Sequence, residues 1–228
     1  MKKMIKNSYT MAMVIAALIW ASGAHADANR VFIEQIGSTN IINITQVGGT
    51  NRVGTSTASS TITGSSNTLS TIQTGSGNSI DYTVVGGNNT VTKTVTGDTN
   101  QITFTCGDST NGCTNVNSTM TIVGDLNTVL SLIKGTGITN TLSITGDSNS
   151  VDQNIQTSNS SSSITILGDS NTFNSTMSGS SAGGGHVLVA AVTGTSNTHT
   201  VAQTGTVDTT VNITTNGSSN VVNVTTGR

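Results

Sequence analysis

The sequence predicts an all-β fold, a flattened β-solenoid with two strands in each coil. Three observations predict it: a Gly-x-x-Asn motif that returns about every eleven residues, alternating apolar and polar residues between the motifs, and the absence of proline. A fixed period indicates a unit that buries its inner face only by stacking on its neighbours. Proline cannot donate a hydrogen bond to a β ladder, so its absence suits a chain of strands and tight turns.

Residues 1–26 are predicted to form a secretory signal peptide that is not part of the fold. A basic start with three lysines is followed by an apolar run, Met11–Trp20, and by a small-x-small cleavage site, Ala24–Ala26. The apolar run is shorter than the ~20 residues that a membrane-spanning helix needs. We therefore expect a secreted protein whose mature chain, residues 27–228, is one solenoid domain without a membrane span.

The charge of the mature chain excludes one class of partner. Five basic residues remain after residue 26 against ten acidic ones, which gives a net charge of −5. Nucleic acid binding needs basic patches or stripes, so nucleic acid is not expected as a partner. A chain this poor in charged and aromatic residues is often disordered. Here the strict period, which keeps apolar residues in register, indicates a folded chain instead.

Each stretch between two motifs predicts one short strand of about seven residues. Side chains of a strand alternate between its faces, so positions +2, +4 and +6 after each motif Asn share one face. After Asn78 these positions hold Ile80, Tyr82 and Val84, and the intervening positions of the chain are mostly polar. Two strands and two turns make a coil of about 22 residues, and about eight coils stack at roughly 4.8 Å.

The turns alternate between two edges of the predicted solenoid. Gly permits the left-handed backbone that such turns need, and Asn tolerates it and forms local hydrogen bonds. The turns of one edge, here called the regular edge, begin at Gly48, Gly75, Gly97, Gly124, Gly146, Gly168, Gly194 and Gly217 and end at Asn51, Asn78, Asn100, Asn127, Asn149, Asn171, Asn197 and Asn220. The other, irregular edge starts with Gly37–Asn40, Gly64–Asn67 and Gly86–Asn89 and carries insertions at Cys106–Asn115, Gly135–Asn140 and Gly179–His186. One further insertion, Val53–Ser60, lies within a predicted strand.

Three early motifs carry a resemblance to a known family. QIGSTN (Gln35–Asn40), QVGGTN (Gln46–Asn51) and QTGSGN (Gln73–Asn78) match the Gln-x-Gly-x-x-Asn core of curlin repeats. The chain thus resembles the curlin family, the subunits of curli amyloid fibres on bacterial surfaces. The resemblance implies an exported β-solenoid that assembles head to tail into extracellular fibres for adhesion and biofilm matrix. It also implies three partners: further copies of the chain, a nucleator subunit and a curli-type secretion pore.

The glutamines of the repeat lie toward the two ends of the chain. They are Gln35, Gln46, Gln73 and Gln203, whereas Val or Ile fills the corresponding positions in the middle. Curlin subunits typically repeat this Gln throughout, so the middle coils depart from the family pattern. Buried Gln is stable where identical amides stack into hydrogen-bonded ladders. The glutamines are therefore predicted self-assembly residues of the core; alternatively, the terminal coils preserve more of an ancestral repeat.

The sequence gives little indication of catalysis, so we expect neither an enzyme nor a cofactor. His186 and His199 have no nucleophile or carboxylate at a recognisable spacing, which favours a structural or solvent-exposed role for each. Cys106 and Cys113 bracket the largest turn insertion. In an exported protein this spacing favours a disulfide, and a loop this short gains about 2–3 kcal/mol from it. Two cysteines alone do not make a zinc site.

Four aspartates form a predicted column on the regular edge. Asp98, Asp125, Asp147 and Asp169 each follow a turn Gly, and stacking would space their carboxylates by roughly 5 Å. Divalent cations such as calcium could bridge such a column, which makes it a weak candidate metal site. Aspartate is also a good turn residue, and we favour that interpretation.

Threonines dominate the outward face of the strands that lead into the regular edge. They include Thr92, Thr94, Thr96, Thr119, Thr121, Thr141 and Thr145. Regular threonine arrays on flat solenoids resemble ice-binding surfaces, so the alternative function is a monomeric ice-binding or surface-adhesive solenoid. The array is interrupted by Ile72, Val123, Leu167 and Ala191. Because threonine is also a favoured exposed strand residue, a fibre subunit remains our leading prediction.

Overall fold

The computed structural model of the chain describes residues 15–19, 28–179 and 185–227. It confirms the predicted fold: the described residues form strands and turns without a helix, and their parallel sheets stack as a β-solenoid of about eight turns. No helix in these three ranges is long and apolar enough to cross a membrane. Two sheets face each other across the core, and the chain alternates between them.

The first sheet, sheet A, is parallel and contains nine strands in the described residues. In spatial order they are β1 (Ile15–Ile19), β4 (Ile41–Val47), β7 (Thr68–Thr74), β9 (Thr90–Thr96), β12 (Asn117–Val123), β15 (Thr139–Thr141), β17 (Ser161–Ser163), β19 (Val187–Val189) and β21 (Thr210–Asn212).

The second sheet, sheet B, contains thirteen strands of the described chain because insertions divide some of its coils into two short strands. In chain order they are β2 (Arg30–Val31), β3 (Ile33–Ile36), β5 (Arg52–Val53), β6 (Ser60–Thr63), β8 (Ser79–Gly87), β10 (Gln101–Cys106), β11 (Cys113–Thr114), β13 (Thr128–Ile133), β14 (Gly135–Thr136), β16 (Ser150–Gln156), β18 (Thr172–Ser178), β20 (Thr198–Thr204) and β22 (Val221–Thr226).

Equivalent positions of successive repeats lie directly on one another. Ser150 of β16 aligns with Thr172 of β18, one regular repeat further along the chain. Gln101 of β10 aligns with Thr128 of β13, a longer separation because the Cys106–Asn115 insertion lies between them. The insertion leaves the register unchanged, since a slip of one residue would turn every core side chain outward.

The core lies between the two sheets and consists mainly of Val, Ile and Leu from the alternating inner positions. Ile80 and Val84 of sheet B and Val91 and Val95 of sheet A are at most 1% exposed. Fully burying one such side chain contributes about 1.5–3 kcal/mol. At the two ends of the core the inner side chains are only partly buried: Val31 and Ile33 at one end, and Val222 and Val224 at the other.

The turn backbone differs in one respect from the expectation. The left-handed residue of the motif is the third one, as in Thr99 (φ 59°) and Leu126 (φ 58°), and the motif Asn does not adopt this conformation. The motif Asn was expected to accommodate the left-handed backbone of the turn, and this expectation was wrong. Its side chain instead points inward and bonds to neighbouring coils. Gly97 has φ 117°, and a Cβ there would overlap the backbone carbonyl oxygen of Gly124 in the next coil.

Two of the predicted segments lie largely outside the described residues. Of the predicted signal peptide, residues 1–26, only Ile15–Ile19 are described, and they form β1 alongside β4. Of the predicted insertion Gly179–His186, residues 180–184 are not described. The Val53–Ser60 insertion separates β5 from β6, and its loop is closed by the backbone N–H of Thr55, which donates to the carbonyl of Ala58 at 2.9 Å.

Candidate functional site

The motif asparagines of the regular edge form a continuous hydrogen-bonded ladder. The Oδ1 of Asn78 accepts the backbone N–H of Asn100 at 3.0 Å and its Nδ2–H at 2.9 Å. Asn100 Nδ2 also donates to the carbonyl of Gly124 at 2.8 Å, one coil further on. The same bonding from one coil to the next joins Asn51, Asn78, Asn100, Asn127, Asn149, Asn171, Asn197 and Asn220. This ladder satisfies buried turn amides over the length of the rod.

The ladder of the irregular edge is short. It joins Asn40, Asn67 and Asn89, and it ends where Asn89 Oδ1 accepts the backbone N–H of Val116 at 3.0 Å. Val116 stands at the position that Asn89 occupies in the preceding coil, since Cys113 and Thr114 align with Gly86 and Gly87. The two edges therefore differ in bonding as well as in loop length.

The structure brings two of the four predicted core glutamines together. Gln46 Nε2 donates to Gln73 Oε1 at 2.7 Å, and both side chains are buried. Gln73 Nε2 donates in turn to the carbonyl of Asn78 at 3.1 Å. Gln203 lies apart near the other end, where its Nε2 donates to the carbonyl of Val187 at 2.9 Å. Its buried Oε1 has no partner among the residues that the structure describes. Gln35 is only partly buried and stacks on Ile62.

A buried lysine lies in the middle of the core, and sequence reasoning did not identify it. Lys93 of β9 is 0% exposed, and its Nζ donates to Ser118 Oγ at 2.8 Å. The ammonium lies 4.2 Å from the centre of the Phe104 ring, a favourable cation–π distance. Burial lowers the pKa of Lys93 to about 7 because the apolar core disfavours the charged form. Its position, +4 after Asn89, was the signal that could have identified it.

Polar side chains continue from Lys93 along the core. Ser118 Oγ donates to Asn140 Oδ1 at 3.0 Å, and Asn140 Nδ2 donates to Gln153 Oε1 at 2.7 Å. Gln153 then donates to Ser162, so the chain of bonds crosses from sheet A to sheet B and back. Next to these hydrogen-bonded side chains, Tyr82 OH is bonded to Thr71 Oγ1 at 2.7 Å. Burial raises the pKa of the Tyr82 phenol.

The two histidines of the described residues are buried. His199 Nε2 lies 2.8 Å from Thr215 Oγ1, and its ring stacks on Phe173 with 5.6 Å between centroids. Burial lowers the pKa of His199. His186 Nδ1 accepts from the backbone N–H of Thr209 at 3.2 Å, and its Nε2 lies 3.1 Å from the carbonyl of Ser178. Each ring therefore holds neighbouring coils together.

The predicted disulfide partners are bonded in the structure. Cys106 and Cys113 close the loop on the irregular edge. An ion pair of 2.7 Å between Lys134 Nζ and Asp108 Oδ2 ties this loop to the following coil. The hydrogen bond from Lys134 and those from the loop backbone lower the pKa of Asp108 to about 2. The loop is therefore fixed at two points, one covalent and one ionic.

The four aspartates of the regular edge stack as expected, but their carboxylates are used in turn bonding. Asp98 Oδ1 accepts the backbone N–H of Ser76 at 2.7 Å, and Asp125 Oδ1 accepts that of Asp98 at 2.6 Å. Asp147 and Asp169 repeat this bond in the next two coils. Within the described ranges, no three His, Cys, Asp or Glu side chains lie close enough to hold a metal ion together. This geometry favours the role of Asp as a turn residue.

The outer face of sheet A aligns the predicted threonines in rows. Thr92, Thr119 and Thr141 stack in one row, and Thr94 stacks on Thr121 in the next. Exposed Ile72, Val123 and Leu167 interrupt the rows, as the sequence predicted. No charged side chain points outward from the strands β4 to β21 of this sheet, whereas the outer face of sheet B carries both arginines and aspartates.

No protein-family model, curated protein or solved structure matches the chain.

Proposed function

We propose that the protein is a structural subunit of an extracellular, curli-like amyloid fibre on a bacterial surface, where it acts in adhesion and biofilm matrix. The observation that carries the proposal is the incomplete burial of the core at its two described ends. Val31, Ile33, Val222 and Val224 pack on the core but stay partly exposed. A second copy stacked on either end would bury these apolar side chains, and such burial is favourable.

The backbone at these ends can also accept a neighbour. In the described part of the chain, β22 pairs with β20 alone, so one side of β22 has unpaired N–H and C=O groups. Unpaired strand edges recruit further strands. At the other end β4 pairs with β1, which lies in the segment predicted to be removed with the signal peptide. Removal of that segment would uncover the edge of β4.

The amide ladder supplies a way to set the register between copies. Asn220 donates to Asn197 Oδ1, and its own Oδ1 accepts from no group in the described chain. At the other end of the same edge, Asn29 Oδ1 accepts the backbone N–H of Asn51 at 2.9 Å. A copy stacked on the Asn220 end would bring its own Asn29 to Asn220 and continue the regular-edge ladder, as identical amides do in cross-β assemblies. We propose further copies, a nucleator subunit and a curli-type secretion pore as partners, on the strength of the curlin-like motifs.

Fibre growth by purified residues 27–228 tests the proposal. We expect thioflavin fluorescence to rise with time and oriented fibres to diffract at about 4.8 Å along the fibre axis. Seeds of preformed fibre should remove the lag phase, since their ends present the open strands. A monomer that stays soluble for days, with or without seeds, would overturn the proposal.

The outer face of sheet A supports a second candidate, a monomeric ice-binding or surface-adhesive solenoid. The observations that favour it are the aligned threonine rows and the lack of outward charged side chains on β4 to β21. Thermal hysteresis of the monomer that disappears in Thr94→Tyr would support ice binding. If Thr94→Tyr and the outward sheet-B variant Thr103→Tyr change the freezing behaviour equally, this second candidate is wrong.

A further inference from the structure

Two adjoining grooves lie on the outer face of sheet B, in the coils nearest β2. One has a volume of about 320 Å³ and is lined by Arg52, Asp81 and Gln101 among others. The second, of about 410 Å³, is lined by Arg30 and Arg52 among others. Because Arg52 and Thr50 line both, the grooves form one trough that crosses four coils, from β2 through β5 and β8 to β10.

Two residues that line the trough carry buried polar atoms without a hydrogen-bond partner among the described residues. Arg52 Nη2 donates to Ser79 Oγ at 2.7 Å, but its Nε is buried and has no hydrogen-bond partner in the described part of the chain. Asp81 Oδ1 is also buried and accepts from no group within the described ranges. The other described side-chain atoms of this kind belong to inward-facing residues: Ser131, Ser175, His199 and Gln203. Both side chains are only partly buried, so their remaining polar atoms, and not the buried ones, can contact a ligand in the trough.

The two arginines are neighbours in the sheet. Arg30 of β2 aligns with Arg52 of β5, so their backbones are about 4.8 Å apart. Neither guanidinium forms an ion pair with a carboxylate of the described chain. Like charges on neighbouring strands repel each other, and an anion bound between them relieves the repulsion. The planar guanidinium matches a carboxylate with two parallel hydrogen bonds.

We propose that this trough binds an acidic saccharide, with a sugar carboxylate between Arg30 and Arg52 and a sugar hydroxyl on Asp81. A simple anion satisfies the arginines but has no donor for the Asp81 carboxylate, whereas a hydroxyl donates to it. Asp81 is only partly buried and lines the trough, so its carboxylate can accept from a hydroxyl there. Gln101 and Thr103, which also line it, offer further donors and acceptors for hydroxyl groups.

This inference does not depend on fibre formation, because the trough lies on the outer face and leaves the strand edges open. Binding is measured by calorimetry on freshly purified monomer at low ionic strength, with α-1,4-linked trigalacturonate as the acidic probe and maltotriose as the neutral one. Sodium sulfate and an aspartate-rich peptide are the other arms of the experiment. We expect trigalacturonate to bind at least tenfold more tightly than maltotriose, sulfate or the peptide. We also expect its binding to weaken as salt is added.

Variants assign the contacts. Arg52→Gln and Arg30→Gln should each weaken trigalacturonate binding at least tenfold, and Asp81→Asn should weaken it several-fold while leaving sulfate binding unchanged. Lys134→Gln and Asp152→Asn are matched controls, since Lys134 directly follows β13, Asp152 points outward from β16 of the same sheet, and neither residue lines the trough. Arg30 is exposed, so Arg30→Gln keeps the experiment informative if Arg52→Gln fails to fold.

Several results would overturn the proposal. Binding of maltotriose as tight as that of trigalacturonate would remove the role of the carboxylate. Sulfate or the acidic peptide binding as tightly, with no effect of Asp81→Asn, would show a general anion site. No binding of trigalacturonate at millimolar concentration, or equal loss in the Lys134→Gln control, would rule out a saccharide site in this trough. A failure here leaves fibre growth unaffected, so the two proposals are separable.

Discussion

Lys93 occupies a core position that Thr71 and Met120 fill in the coils on either side. We expect Lys93→Met to raise the free energy of unfolding at pH 6 by about 2–4 kcal/mol, because it removes a buried charge at similar volume. Ser118 keeps its bond to Asn140 in this variant. Urea denaturation of the monomer measures the change.

The same lysine predicts how stability depends on pH. The pKa of Lys93 is about 7 in the folded protein, against an ordinary value of 10.5 that applies to the unfolded chain. At a pH between these two values the unfolded chain therefore binds more protons than the folded protein does. Stability should therefore rise from pH 7 towards pH 10, with a slope of up to about 1.4 kcal/mol per pH unit. Above pH 10 it should fall again, because burial raises the pKa of Tyr82 and the unfolded chain loses that proton first.

Lys93→Met should abolish the rise in the free energy of unfolding between pH 7 and pH 10. Lys134→Met is the matched control, since Lys134 lies on the surface and pairs with Asp108 there. If the parent protein is equally stable at pH 7 and pH 9.5, or if the control removes the rise as well, the assignment of this dependence to Lys93 is wrong.

At the scale of one element, the glycine column of the regular edge sets how closely two coils approach. Gly97→Ala should lower the free energy of unfolding by about 2–4 kcal/mol, because the new Cβ meets the Gly124 carbonyl and φ is positive. Gly112→Ala is the control: its Cβ would have ordinary contacts and its φ lies outside the left-handed region. Equal melting temperatures of the two variants would contradict the close approach.

The amide ladder is the second element with a testable energy. Asn127 is buried and accepts the backbone N–H and Nδ2–H of Asn149 at 2.9 and 3.1 Å. Asn127→Ala leaves these donors and the Oδ1 of Asn100 without this partner, so we expect the free energy of unfolding to fall by about 2–4 kcal/mol. Asn117→Ala, at an exposed outward position of β12, should change stability by less than about 0.5 kcal/mol. Denaturant midpoints compare the two; similar losses would argue against the ladder.

At the scale of the whole molecule, the end of the rod decides whether copies stack. Val224 faces inward from β22 and is only partly buried. A lysine there can extend into solvent in the monomer but would be buried without a partner in a stack. We expect Val224→Lys to slow seeded fibre elongation at least tenfold with little change in the melting temperature of the monomer.

Asn223→Lys provides the control for this prediction, because Asn223 points outward from the same strand and is exposed. It adds the same charge to the same end of the rod without placing it in the contact. Elongation rates of seeded reactions, followed by thioflavin fluorescence, separate the two variants. If both elongate as fast as the parent, the β22 end is not the growing surface.

The sequence by itself determined the strands, the turns and the two faces, because a repeat of about eleven residues with alternating apolar positions has only one way to bury them all. Positions such as Ile80 and Val84 could be assigned to the core from the pattern alone. The pairing of Cys106 with Cys113 also follows from local spacing. The strands, turns, core positions and disulfide depend only on residues close together in the sequence or on the spacing of the repeat.

Only the tertiary structure decided what each polar side chain bonds to. The motif Asn looked like a turn residue, but stacking makes it a member of a ladder, since its partners lie a full coil away. Lys93 and Arg52 are both isolated basic residues in the sequence, yet one is buried over Phe104 and the other lines a groove beside Arg30. Such contacts depend on which coils lie side by side and where each insertion falls, so they require the three-dimensional arrangement of the coils.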